Sequence, residues 1–165
     1  GLCGNPWGDG GHGGVMPRVI NGQPGQEKEA KVGVRIVRAG GRVGKDGIHG
    51  ATFSSEELHE GSPVTAVQIG DPITQRRMFD FLIIARDRGL YNAITDNGAG
   101  GLSSSVGEMA EFTNGFEMHL DRAPLKYSGM HPCEILISYA QARMTMAVLA
   151  GKLEDFSTLA EEMGV

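Results

Sequence analysis

The chain is organised around the stretch Gly40-Gly41-Arg42-Val43-Gly44-Lys45-Asp46-Gly47-Ile48-His49-Gly50-Ala51-Thr52-Phe53-Ser54-Ser55. It follows an alternating polar and apolar run at residues 31–38, which is typical of a half-buried strand. Five glycines fall within eleven positions, with basic side chains between them. Glycine lets a backbone approach a ligand closely, and N–H groups beside positive charge are how loops hold phosphate. A solvated surface turn is the alternative interpretation. The phosphate-loop candidates in this stretch are Gly44, Lys45, Asp46, Gly47 and His49.

Size and composition describe one acidic domain with an aliphatic core. A chain of 165 residues with 40% apolar residues can bury one core. Its net charge is −5 and it has no basic run, which argues against a nucleic-acid surface. No apolar run reaches the roughly 18 residues of a membrane span. Cys3 and Cys133 form no zinc or CxxC spacing, so we expect a reduced, cytoplasmic protein.

The composition changes near Ala30 and divides the chain into two parts. Residues 1–27 hold nine of the 26 glycines and almost no apolar periodicity. Such a stretch buries too little surface to offset its ordering entropy, so residues 1–29 are predicted to be a Gly-rich linker or flexible segment. Residues 30–165 are predicted to form the folded domain. The chain begins at Gly1 rather than Met, and both a fragment of a longer protein and a stand-alone domain stay open.

The elements predicted after Ala30 mix strands and helices. Asp71-Pro72 is an N-cap followed by a first helical residue, and Gly89 closes that helix. Its predicted buried stripe is Met78, Phe79, Leu82, Ile83 and Ala85. Further helices are predicted at 103–112, 132–137 and 153–163, with a short helical turn at 54–57. Strands are predicted at 31–38, 64–69, 90–95, 115–120 and 143–149. The pattern predicts an α/β (α+β) layered sandwich, with a mixed sheet of about five to six strands and flanking helices.

Two more stretches carry candidate site residues. Gln68 lies near the end of a predicted strand, where α/β folds open their ligand crevice, although a strand-end Gln can be structural. Asp96 ends another strand and precedes flexible glycines, which suits Mg²⁺, an ion that takes one or two carboxylates and completes its shell with water and phosphate oxygens. The alternative for Asp96 is a turn-forming role. Gly101 and Ser103 open the next helix, whose N–H groups could receive an anion.

The full string from Gly40 closely resembles the GGRTGRDGIHGATFASEEL segment of the phosphoribosylformylglycinamidine synthase family. Residues 67–72, VQIGDP, resemble that family's VQxGDP, and residues 94–105, ITDNGAGGLSSS, resemble its IQDMGAAGLTSSS. Residues 137–144, ISYAQARM, align with its LSESQERM. The resemblance implies substrate contacts at Gln68, Tyr139, Ala140 and Gln141, and a magnesium ligand at Asp96. Tyr139 and Ala140 replace a glutamate and a serine of the family's triplet, so a carboxylate and a hydroxyl are missing.

The resemblance also implies a fold and an activity. The fold would be that of the carboxy-terminal domain of aminoimidazole ribonucleotide synthetase. The activity would be ATP-dependent conversion of formylglycinamide ribonucleotide to formylglycinamidine ribonucleotide in purine biosynthesis, with Mg²⁺ and ATP as cofactors. Its partners would be the remaining synthetase domains and a glutaminase subunit or domain that supplies ammonia. In this family the catalytic histidine and much of the ATP site belong to an amino-terminal domain, so we expect no catalytic residue in this chain and no activity from it alone.

Two alternatives to that activity remain at this point. A non-catalytic or regulatory copy of the domain would bind a phosphorylated ligand, and the Tyr139-Ala140 replacement favours it. A related ligase such as selenophosphate synthetase lacks the string at Gly40. The intact string and Asp96 favour the synthase.

Overall fold

The computed structural model describes residues 19–20, 23–24, 33–48, 71–111, 113–140 and 142–165. The strands are β1 (Val19–Ile20), β2 (Gln23–Pro24), β3 (Arg35–Gly40), β4 (Ala93–Asp96) and β5 (Arg143–Val148). The helices are α1 (Pro72–Asp87), α2 (Gly101–Ala110), α3 (Pro132–Ile137) and α4 (Leu153–Met163). Two 3₁₀ turns cover Leu120–Arg122 and Ala150–Lys152. No helix in these ranges is long and apolar enough to cross a membrane.

Strands β3, β5 and β4 form an antiparallel sheet in that order. Both outer strands run against β5 and therefore point the same way. Gly40 pairs with Arg143 and Asp96 pairs with Met144, so the carboxyl ends of β3 and β4 meet the first residues of β5. Strands β1 and β2 form a separate antiparallel pair.

Side chains alternate across the sheet and fill a core on each face. On one face Met144, Met146 and Val148 pack with buried residues of α1 and α4. On the other face Ala147 packs with Ala93 and with Met109 of α2. Helices therefore cover both faces, which confirms a layered α/β arrangement.

Helix α1 begins and ends where its sequence signals predict. Asp71 is the N-cap, and its carboxylate accepts hydrogen bonds from the Thr74 N–H at 3.0 Å and the Thr74 hydroxyl at 2.7 Å. Pro72 is the first helical residue. The helix ends at Asp87, and Gly89 takes a positive φ of 63° just beyond it. Local cap chemistry is thus enough to set both ends.

The predicted buried stripe of α1 is partly wrong. The buried residues are Met78, Phe81, Leu82 and Ala85, whereas Phe79 and Ile83 are only partly buried. The observed spacing is i, i+3, i+4 and i+7, which places the side chains on one face. Phe79 and Ile83 lie about 100° around the helix from Met78 and Leu82 and so flank that face.

The other described helices agree closely with the sequence. Helix α3 begins at Pro132 and ends at Ile137, and α4 spans Leu153–Met163, both as predicted. Phe156 and Leu159 are the buried members of the predicted α4 face. Helix α2 starts at Gly101, two residues before the predicted serine, because Gly100 adopts the left-handed conformation that begins it.

The predicted number of strands is too high for the described residues. Residues 115–120 form no strand: Phe116 is 53% exposed, and the segment runs into the 3₁₀ turn at Leu120. Alternation is a local signal, whereas a strand also needs a neighbouring backbone to pair with. Every strand pair in the described sheet is antiparallel, while Val43 and Leu125 form an isolated parallel bridge, so the mixed character of the sheet stays a prediction. The predicted strand at 64–69 and helical turn at 54–57 lie outside the described residues, as does most of the predicted linker, which stays a prediction.

Candidate functional site

Three of the predicted stretches, in four segments, meet at the end of the sheet where β3 and β4 finish. Residues 44–47, which we call the glycine loop, follow β3. Asp96 ends β4, and α2 begins five residues later at Gly101. Residues 138–140 lie between α3 and β5. The sheet register alone brings these segments to one end of the domain.

The segment before β5 holds the glycine loop in place. The Ser138 hydroxyl donates to the Gly44 carbonyl at 2.6 Å, and the Tyr139 N–H donates to the Asp46 carbonyl at 3.1 Å. Gly47 has a φ of 63°, and a Cβ on it would lie 2.2 Å from Cε1 of Tyr139. The Tyr139 ring therefore packs directly on the Gly47 backbone, and only glycine fits there.

Asp46 is a buried carboxylate inside this loop. It is 7% exposed, and its Oδ2 lies 2.8 Å from Nζ of Lys126 and 3.9 Å from Nη2 of Arg143. A Cβ on Gly44 would lie 2.8 Å from Cδ of Lys126, so the glycine makes room for the lysine stem. Asp46 is thus an internal counter-ion that positive groups surround, and it offers little surface to a ligand.

Both the ammonium and the backbone N–H of Lys45 are paired within the domain. Its ammonium lies 2.9 Å from Oε1 of Glu134, and its backbone N–H donates to the Tyr127 hydroxyl at 2.8 Å. The hydrogen bond with Glu134 raises the pKa of Lys45 and lowers the pKa of Glu134. An anion held here would replace Glu134 and Tyr127 as acceptors or use the neighbouring N–H groups.

The start of α2 packs against the same segment. A Cβ on Gly101 would lie 2.3 Å from the Ser138 carbonyl oxygen, so this helix end closely approaches residues 137–138. The Ser103 hydroxyl donates to the Gly100 carbonyl at 2.6 Å. Ser103 therefore closes the first turn of its own helix, and its oxygen faces the helix end that favours anions.

Asp96 lies at the junction of β4 and the turn before α2. Its Oδ1 accepts a hydrogen bond from the Gly98 N–H at 3.1 Å, which is the turn-forming contact expected of an aspartate. Within the described ranges no group of three or more His, Cys, Asp or Glu could hold a metal ion. A single carboxylate fits Mg²⁺ only when phosphate oxygens and water supply the remaining ligands.

The predicted substrate residues are only partly within the described chain. Tyr139 is 7% exposed and Ala140 is 9% exposed, so both are mainly packing residues. Gln68, Gln141 and His49 lie outside the described residues. Their substrate and phosphate roles stay predictions.

Three polar residues of this site were not predicted from the sequence. They are Lys126, Ser138 and Arg143, which bond to the loop or to each other. For Arg143 the sequence offers only a charged residue at the start of the largely apolar strand predicted at 143–149. Lys126 had no such signal, since 80 residues separate it from Asp46.

The chain belongs to the family described as AIR synthase related protein, C-terminal domain, which matches residues 31–165. This match agrees with the resemblance that the motifs from Gly40 onward indicate.

Its relatives include phosphoribosylformylglycinamidine synthase subunit PurL. The Pyrococcus abyssi protein is 40% identical over 136 residues, which cover 80% of this chain and 19% of that protein. The Thermococcus gammatolerans protein is 38% identical over 135 residues, with the same shares. The chain thus spans about a fifth of the length of the curated relatives it matches.

Solved structures of Thermotoga maritima PurL have the same fold over this region. PurL complexed with FGAR matches with a TM-score of 0.75 and 35% identity, over 87% of this chain and 24% of that chain. PurL complexed with ATP matches with a TM-score of 0.70 and 31% identity, over 88% and 22%. The structure of PurLQS matches with a TM-score of 0.67 and 30% identity, over 81% and 21%.

Proposed function

We propose that this chain is the carboxy-terminal AIR-synthase-type domain of a phosphoribosylformylglycinamidine synthase. Such an enzyme uses ATP to convert formylglycinamide ribonucleotide to formylglycinamidine ribonucleotide in purine biosynthesis. The observation that carries the proposal is the meeting of the glycine loop, Asp96, the start of α2 and residues 138–140 at one end of the sheet. The relatives do not favour a non-catalytic copy of the domain.

The glycine loop and the start of α2 would bind phosphate in this enzyme. Both lie at one end of the domain, and Lys45 adds a charge that can move from Glu134 to an anion. Gln68 and Gln141 would carry most of the substrate contact, because Tyr139 and Ala140 are buried. Gly44 and Asp46 would shape the loop without touching the ligand.

Asp96 would provide one ligand to Mg²⁺, with nucleotide or substrate phosphates providing others. The ion, when bound, neutralises charge on the phosphates. The remaining synthetase domains would supply the catalytic histidine and most of the ATP site, and a glutaminase would supply ammonia. The structure of PurLQS is consistent with such an assembly. Under this proposal the enzyme works in the cytoplasm.

The proposal is tested with the purified full-length protein. With formylglycinamide ribonucleotide, ammonia, Mg²⁺ and ATP it should form formylglycinamidine ribonucleotide, whereas this chain alone should form none. Failure of the full-length protein to consume ATP in response to both co-substrates would overturn the function. Activity from this chain alone would overturn the assignment of the catalytic groups to other domains.

A pair of variants tests the phosphate role of Lys45. Lys45→Met should raise the KM for a phosphorylated substrate, because a charge near the phosphate is lost. Glu134→Gln is the matched control, since it breaks the same ion pair and leaves the ammonium in place. If both variants raise KM equally, Lys45 only anchors the loop.

A further inference from the structure

Arg143 is the largest fully buried side chain in the described part of the chain. It opens β5, where Thr145 is the only other polar residue and all six residues are buried. Burying a guanidinium costs free energy unless partners match its donors. A guanidinium at such a buried position therefore needs a specific role, and the proposed function gives Arg143 none.

The polar contacts of the Arg143 side chain lead to the glycine loop. Its Nη2 donates to the Ser138 hydroxyl at 3.1 Å, and its Nη1 donates to the Ser138 carbonyl at 3.4 Å. The same Ser138 hydroxyl donates to the Gly44 carbonyl at 2.6 Å. Nη2 also lies 3.9 Å from Oδ2 of Asp46. Arg143 thus reaches both ends of the loop, through Ser138 at Gly44 and directly at Asp46.

This arrangement is poorly suited to stability alone. The Nε of Arg143 is buried and has no hydrogen-bond partner within the described chain. Asp46 lies closer to Lys126, at 2.8 Å, than to Arg143. Burial, with the nearby Arg38, lowers the pKa of Arg143 to about 10, so the side chain stays charged at neutral pH. An apolar residue would fill a buried strand position with less desolvation.

Direct contact with a ligand is excluded by geometry. The side chain of Arg143 is 0% exposed, and the Ser138 hydroxyl and the Asp46 carboxylate lie between it and the loop backbone. Arg143 donates to the Ser138 hydroxyl, which donates to the Gly44 carbonyl, and each hydrogen bond in this chain polarises the next. Its effect is to fix the direction of the Gly44 carbonyl and, with it, of the N–H groups that follow in the loop.

We propose that Arg143 is a positioning residue that holds the glycine loop, through Ser138 and Asp46, in the conformation that binds a phosphorylated ligand. The inference rests on the proposed function for the identity of that ligand, and on the contacts alone for the loop conformation. Loosening the loop would weaken binding of the phosphate and leave the chemical step nearly unchanged, because catalytic groups belong to other domains.

The experiment uses the full-length protein and two kinds of measurement. Ser138→Ala removes the hydroxyl that joins Arg143 to Gly44, and Arg143→Lys removes the guanidinium. Ser138→Thr keeps a hydroxyl at position 138. Thr145→Val is the matched control: Thr145 lies in the same strand and is fully buried, but its hydroxyl bonds to Asn97 at 2.5 Å. Amide hydrogen exchange is followed at residues 44–47, and KM and kcat are measured for formylglycinamide ribonucleotide and for ATP separately.

Ser138→Ala and Arg143→Lys should each speed exchange at the loop and raise one KM by about tenfold, with kcat changed by less than about twofold. Ser138→Thr and Thr145→Val should behave as the unmodified protein in both measurements. Unchanged exchange in Ser138→Ala, or a fall in kcat with KM unchanged, would overturn the proposal. If the unmodified protein shows no synthase activity, the proposed function fails, and the exchange measurement still decides the positioning role.

Discussion

At the scale of single residues, the glycines of the loop are required by packing inside the domain. Gly47 lies under the Tyr139 ring in the left-handed region, and Gly44 leaves room for the Lys126 stem beside Asp46. A glycine-rich stretch suggests access for a ligand, but here two of its members admit neighbouring side chains. Tyr139 and Lys126 therefore set the shape of this loop before a ligand binds to it.

Replacement of Gly47 by alanine tests this packing. Gly47→Ala should destabilise the fold by about 2–4 kcal/mol, from a disfavoured φ and overlap with the Tyr139 ring. Gly129→Ala is the matched control, since its φ is 84° and nothing lies within 4 Å of its Cβ, so only about 1 kcal/mol should be lost. Urea unfolding of both variants measures the difference. Equal losses would show that Tyr139 does not pack on Gly47.

At the scale of elements, the stability that the N-cap of α1 contributes depends on pH. The hydrogen bond from the Thr74 N–H lowers the pKa of Asp71. Because folding lowers this pKa, the stabilisation is complete above the unfolded-state value and is lost as the pH falls through the folded-state value. Asp71→Asn keeps an acceptor at the same place and loses the charge.

The melting temperature of Asp71→Asn should therefore depend less on pH in acid than that of the unmodified protein. Between neutral pH and the acid range, the melting temperature of the unmodified protein should fall further than that of Asp71→Asn. Asp155, an exposed acidic residue in the first turn of α4, provides a comparison as Asp155→Asn. Parallel melting curves for Asp71→Asn and the unmodified protein at every pH would contradict the cap assignment.

The core between α1 and α4 contains an aromatic pair. Phe81 and Phe156 meet edge to face, with ring centroids 5.1 Å apart and an interplanar angle of 88°. Phe81→Ala should cost about 3–5 kcal/mol, because it leaves a cavity in a fully buried site. Ile73→Ala, in the same helix at 68% exposure, should change stability by less than about 0.5 kcal/mol. Chemical denaturation that gives similar values for both would refute this core assignment.

At the scale of the whole molecule, the sequence predicts what depends on neighbours in the chain. Asp71-Pro72 and Pro132 set helix starts, and cap chemistry is local. The alternation at 115–120 predicted a strand that does not form, because strand pairing depends on a partner that is distant in the chain. The site contacts are also distant: 94 residues separate Ser138 from Gly44. Family resemblance brought those segments into one site, but it did not reveal Arg143, whose role follows only from three-dimensional contacts.

The proposed magnesium site would need ligands besides Asp96. Asp96 is one carboxylate, and the described residues contain no group of three or more His, Cys, Asp or Glu that could hold a metal ion. We therefore expect Asp96 to bind Mg²⁺ only when a nucleotide or phosphorylated substrate shares the site. Under the proposed function, other domains of the full-length synthase would hold most of that nucleotide or substrate.

Asp96→Asn in the full-length protein separates the metal role from the turn role. Asparagine keeps the Oδ1 that accepts from the Gly98 N–H, so the fold and turn should survive. The charged oxygen is lost, and Mg²⁺ affinity should fall on the order of ten- to a hundredfold, as in other weakened metal sites. At low Mg²⁺ the rate should drop, and excess Mg²⁺ should partly restore it. If Asp96 only forms a turn, the rate curves of the two proteins against Mg²⁺ concentration will overlap.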